Sequence, residues 1–186
     1  APASKITYVG KDYAGRVNII VFDDVTGDRY EYGMAKMGTA SGSIDGLSYT
    51  NATVRVEFGS GKQSADLITG ASIKEDQLVG IAASLEEIGG TNKLANWMEL
   101  KSVTKVPRSA FDMYDMDTDA GDLDPIGTVT TNSMILPIAG NVACYNKITK
   151  QWFTSLDEAR AYSNSLTIYY DRTPQEGGKV RLVVVE

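Results

Sequence analysis

Residues 142–186 switch between two hydrophobic periods, and that switching constrains the fold more than any other feature of the chain. Val142 to Asn146 has the content of a strand. Ser155 followed by Glu158 is a capping box, in which the serine hydroxyl accepts from the glutamate amide and the carboxylate reaches back to the start of the helix. Leu156, Ala159 and Tyr162 recur at helical spacing and give one apolar stripe, which predicts a short helix over 155–162. Leu166 to Tyr170 and Lys179 to Glu186 are again strands, joined by a loop containing Pro174, Gly177 and Gly178. The final strand is the most apolar, so the last residues are expected to be held in a sheet.

The same period-two reading runs back through the chain. Lys5 to Val9 and Arg29 to Tyr32 are strands, the latter with both tyrosines on one face. Arg16 to Phe22 is apolar on both faces, which predicts a central strand. Asp23 to Gly27 reads as a tight reversal. Met34 to Tyr49 is rich in glycine and serine and reads as a loop. Ala52 to Phe58 alternates cleanly, with Val54, Val56 and Phe58 inward, and Ala65 to Thr69 is its short partner. Ser84 to Glu87 matches a capping box with Gly89 as a stop, which predicts a helical turn. Asn96 to Val106 reads as one long strand, with Met98 and Leu100 inward. Thr128 to Thr131 and Ser133 to Ile138 are short strands around a turn.

This count of nine to eleven strands and one helix predicts a mainly β chain. The expected architecture is barrel-like or sandwich subdomains of antiparallel strands, with one short helix at 155–162. Pro107 is the expected boundary, dividing an N-terminal β-rich subdomain (1–106) from a C-terminal one (107–186) that carries the helix. The two are expected to pack closely enough to act as one unit. A chain of 186 residues buries a core without staples.

Composition narrows the chemistry. The formal net charge is −6 with no basic run, which disfavours phosphate backbones and anionic membranes. No apolar run reaches transmembrane length. The chain has no histidine and a single cysteine, Cys144. Cys144 lies in an apolar strand pattern and reads as a small buried hydrophobe, since a catalytic thiol needs an activating base. No nucleophile elbow or phosphate loop is present. The chain starts at Ala1 without Met and reads as a processed product or excised fragment.

Two sets of residues are candidate sites. Asp115, Asp117 and Asp119 place carboxylates at alternate positions, as oxygen-rich calcium loops do. The EF-hand register fails, however, because Ala120 stands where glycine is needed and Ile126 where glutamate is needed. Calcium is therefore the one cofactor considered, against a solvated acidic loop. Tyr30, Tyr32, Trp152 and Tyr169, with Tyr170, are candidate glycan-stacking aromatics, against the alternative that alternation hides such rings in the core. A glycosidase needs two carboxylates across a cleft, and no spacing among the 24 acidic residues selects such a pair.

Two stretches carry a family resemblance. The first runs from Ile6 through Asn18, Asp23 to Asp28 and Tyr30 to Gly33. The second runs from Leu136 through Val142 to Asn146, Ser155 to Ala159 and Tyr169 to Thr173, ending at Gly177 to Arg181. Both resemble the non-repeat region of clostridial-type surface proteins that carry S-layer homology domains. Trp97 to Thr104 with Arg108 to Phe111 is similar to the segment linking them. The S-layer homology repeats themselves are absent, and the resemblance transfers no functional residues. It implies a secreted, wall-associated address in a Gram-positive cell and a β-rich extension domain. The expected function is a non-catalytic structural or interaction module of an S-layer-type surface protein. Its expected partners are other domains of that protein or neighbouring surface proteins, with no nucleic acid and no membrane insertion. The alternatives are a module binding cell-wall or host glycan and a carboxylate-based cell-wall glycosidase.

Overall fold

The computed structural model describes residues 6–22, 29–115 and 125–186, and the architecture is mainly β with two curled, barrel-like sheets. A separate two-stranded sheet pairs β1 (Ile6–Lys11) with β2 (Val17–Phe22). The segment expected to be a central strand is thus half of a hairpin, with Val17 and Ile19 about half exposed, at 51% and 53%. Among the described residues β2 has no neighbour besides β1, so apolar residues on both faces do not by themselves make a strand central. The expected turn at Asp23 to Gly27 lies outside the described residues.

The first curled sheet contains β3 (Glu31–Ile44), β4 (Leu47–Gly59), β5 (Lys62–Gln63), β6 (Leu67–Ile68), β7 (Leu78–Ile88) and β8 (Thr91–Glu99). Its pairings run β3–β7–β8–β6–β4 and return to β3, so the sheet curls around a core of Ala35, Val54, Val56, Leu67, Val79 and Ile81. Residues 34–49, expected to be a loop, form the long β3–β4 hairpin instead. Asp45 and Gly46 both have positive φ, at 51° and 80°, and make the two-residue reversal whose twist suits paired strands. The glycines serve packing: a Cβ on Gly42 would lie 2.6 Å from the Tyr49 hydroxyl. Residues 84–87 are likewise strand, within β7. The Ser84 hydroxyl does accept from the Glu86 amide at 3.0 Å, but in a slipped register between Ala83 and Glu87. A serine–glutamate spacing satisfies a β-irregularity as readily as a helix start.

The chain passes from one sheet to the other at Leu100. The expected long strand over 96–106 is therefore two, β8 and β9 (Lys101–Pro107), and β9 pairs with β14 (Ser165–Tyr170) in the second sheet although it runs up to the expected boundary from the N-terminal side. This sheet runs β10 (Phe111–Met113), β11 (Gly127–Thr130), β12 (Ile135–Asn146), β15 (Val180–Val185), β14, β9, with β13 (Gln151–Trp152) also on β12. β15 lies between β12 (parallel) and β14 (antiparallel), and all six of its residues are buried. Such burial on both faces explains its near-continuous valine sequence. The helix α1 (Leu156–Tyr162) packs Leu156 and Ala159 against this sheet with Val183 and Val185. Ser155 caps it as expected, accepting from the Glu158 amide at 3.2 Å, whereas the Glu158 carboxylate takes the Thr154 amide at 2.8 Å. Cys144 belongs to the same core, and burial pushes its thiol up to about 12, consistent with its reading as a hydrophobe.

The two sheets meet in a third cluster, built from Tyr30, Tyr32, Ala82, Leu100, Ala143 and Leu182. At its centre is a buried polar clasp. Asp171 Oδ2 accepts from Arg181 Nε at 2.9 Å and from the Tyr32 hydroxyl at 3.2 Å. Its Oδ1 accepts from the amides of Arg172 and Lys179, both at 2.8 Å. The Arg181 guanidinium lies 4.7 Å from the centroid of the Tyr32 ring. The side chains of Arg181 and Asp171 are 1% and 0% exposed. The loop carrying Asp171 is shaped for this: Gly177 has φ 76°, and a Cβ on Gly178 would collide with the Arg172 carbonyl.

Removing one member of a buried ion pair strands the other charge, so Asp171→Ala should cost about 3–5 kcal/mol. Tyr32→Phe deletes one hydrogen bond to a charged group but keeps the ring beneath the guanidinium, and should cost about 1.5–3 kcal/mol. Urea denaturation of both variants checks the order; equal losses would contradict it.

Candidate functional site

A groove of about 540 Å³ opens where the two sheets meet. That volume lies within the usual range for small-ligand sites. Each sheet supplies one wall.

The wall from the first sheet presents Met34, Lys36, Glu57, Asp76 and Leu78. Lys36 and Glu57 lie on the paired strands β3 and β4, whose register sets Met34 opposite Glu57. The loop before β7 brings Glu75 and Asp76 to the same place. Lys36 Nζ is hydrogen-bonded to Asp76 and lies 3.7 Å from Glu75. The bond to Asp76 raises the lysine above its ordinary value despite partial desolvation, with the charges of Asp76, Glu57 and Glu75 adding to the rise. Asp76 holds a left-handed φ of 62°, and its amide donates to the Ala35 carbonyl at 2.9 Å, so this contact is anchored to β3.

The wall from the second sheet is aromatic. Tyr145 on β12 pairs directly across from Trp152 on β13, with ring centroids 4.9 Å apart and planes at 56°. Tyr169 on β14 lies beside them, together with Lys147 and Lys150. The turn that carries both lysines is held by buried Asn146, whose Oδ1 accepts from the amides of Ile148 at 3.0 Å and Thr149 at 3.1 Å. Lys150 has a φ of 57°, a left-handed conformation that a lysine adopts at a cost. Lys147 Nζ lies 3.3 Å from a Glu186 carboxylate oxygen. Burial and then the Glu186 charge push the Tyr169 phenol above its ordinary value, with Lys147 pulling it down.

Of the aromatics expected to form a sugar platform, the structure brings Trp152 and Tyr169 together, each partly exposed in this groove. Tyr30 and Tyr32 are elsewhere: both are 7% exposed, with their rings in the cluster between the sheets, so they present no open face for stacking. Tyr170 is buried too. Their alternation does place both rings on one face, but that face is covered by the second sheet. Asp115 is exposed, and Asp117 and Asp119 lie outside the described residues. Among the described residues no group of three potential metal ligands converges. The sequence reading missed Tyr145, Lys147, Lys150, Lys36, Glu57 and Asp76. For Tyr145 a signal existed: the run Asn146 to Lys150, polar but for Ile148, makes a turn, and reversal there sets Tyr145 opposite Trp152. Comparison with known proteins finds no matching family model, no similar curated protein and no similar solved structure.

The geometry makes Tyr169 a reporter on this wall. Glu186→Gln should lower its titration and Lys147→Gln should raise it, read from the ring carbon bearing the hydroxyl by ¹³C NMR. Because the folded phenol titrates above the unfolded value of about 10, its contribution to stability is present below that pH and is lost as the pH rises through the folded value. A Tyr169 titration unmoved by either variant would contradict the arrangement.

Proposed function

We propose that the chain is a non-catalytic interaction module of an S-layer-type bacterial surface protein, working outside the cell at the wall. The resemblance of its two outer stretches to such proteins supports the address. The joining of two β-rich sheets by a buried polar clasp suits a module that must hold a fixed shape while it contacts neighbouring domains or neighbouring surface proteins.

A second reading, that the module contacts glycan, is favoured by one observation: the Tyr145–Trp152 pair, with Tyr169 beside it, in a groove rimmed by charged groups. Aromatic faces offer large apolar contact area at low entropic cost, and the rim offers donors and acceptors for hydroxyls. The groove also presents Glu57 and Asp76, the raw material of a glycosidase. Both stand on the wall from the first sheet, with Asp76 tied to Lys36, whereas a glycosidase needs two carboxylates across a cleft. We therefore rank binding above turnover.

Sedimentation with purified cell-wall sacculi tests the glycan reading. Saturable pelleting is expected, competed by free wall sugars and weakened about tenfold or more by Trp152→Ala, in line with an aromatic anchor of about 1.4 kcal/mol or more. Absence of pelleting would leave the structural module without its glycan contact. Release of wall fragments by the intact chain would overturn the non-catalytic assignment.

A further inference from the structure

The charges around the groove are not evenly spread. On the first wall Lys36 is engaged by Asp76 and Glu75, with Glu57 beside it, so acidic groups are in excess there. On the second wall Lys147 is shared with Glu186, and Lys150 makes no ion pair among the described residues. The uncompensated positive charge thus sits two positions from Trp152, on the aromatic side. The turn fixes it there: Asn146 closes residues 148 and 149, and Lys150 accepts a left-handed φ of 57° to reach β13. Asparagine or glycine would meet that backbone demand at less cost, so the position carries a cation where its conformation does not favour one.

We propose that the groove takes a saccharide bearing an anionic substituent, its ring against Trp152 and Tyr145 and its carboxylate or phosphate at Lys150, with Lys147 beside it. Glu57 and the Asp76–Lys36 pair on the facing wall then meet the hydroxyls, which donate to carboxylates without added charge repulsion. This inference rests on the glycan reading above and specifies its ligand. The acidic first wall places the repulsive element opposite the basic one, so it selects orientation as well as class.

Isothermal titration calorimetry on the intact chain tests it with three probes: trigalacturonate, its fully methyl-esterified neutral form, and maltotriose carrying a 6-phosphate. The expected result is that at least one anionic probe binds about fivefold or more tighter than the neutral ester, with the advantage reduced by added salt. Lys150→Asn, which suits the left-handed backbone, should bring that anionic probe down to the ester's affinity, and Lys150→Arg should keep the difference. Preference for trigalacturonate or for the phosphorylated maltotriose identifies the anion as carboxylate or phosphate. Equal affinity for charged and neutral probes, or a preference that survives Lys150→Asn, would overturn the inference while leaving the glycan reading in place. Failure of all three probes to bind would overturn the inference, and the sacculi assay then decides the glycan reading by itself.

Discussion

The carboxylate of Asp171 is the point on which the two sheets depend. Four donors converge on it from three places: the hydroxyl of Tyr32 in the first sheet, Arg181 in the central strand of the second, and two amides of the loop between β14 and β15. A buried ion pair is poor evidence of net stability, because desolvating two charges offsets most of their attraction. Its value lies in specificity. The apolar contacts around it, from Ala82, Leu100, Ala143 and Leu182, tolerate sliding, whereas a carboxylate with four donors has one arrangement that leaves nothing unpaired. The clasp therefore fixes how the first sheet sits on the second.

The groove inherits that placement. Lys36, Glu57 and Asp76 come from the first sheet, and Tyr145, Trp152 and Tyr169 from the second, so neither sheet contains the site. Leu182, on the seam face of β15, lies between Arg181, which holds the clasp, and Val183, which packs in the core with α1. A single strand thus ties the helix, the seam and the groove wall at Val184 together. The outer edge of this sheet is protected differently. β9 carries Lys101, a bulge at Lys105 with φ 57°, and a terminal Pro107, all of which discourage pairing with another strand.

Much of the fold was legible because strands with one buried face alternate and turns need particular residues. The strand–helix–strand–strand order of residues 142–186, the Ser155 cap and the inward set of Val54, Val56 and Phe58 were all readable in this way. The β3–β4 hairpin was not, since glycine and serine mark loops by composition, and here they serve close packing of Tyr49 across Gly42. The pattern at Ser84 failed for a related reason: a serine hydroxyl accepting a nearby amide is a local event, common to helix starts and irregular strands. The site was half legible. Trp152 and Tyr169 stood out as aromatics, but Tyr32 is held inward by Asp171 and Arg181, more than a hundred positions away in the chain. No local pattern carries that contact, and for the same reason the acidic wall of the groove was invisible.

Native-state hydrogen exchange tests most directly the claim that the clasp makes one body of two sheets. The slowest amides of Val54 and Val56 in the first sheet and of Val183 and Val184 in the second should open with the same free energy and the same denaturant dependence, as members of a single cooperative unit. If the first sheet opens at a distinctly lower free energy while the second stays closed, the sheets are independent units and the clasp does not govern their union.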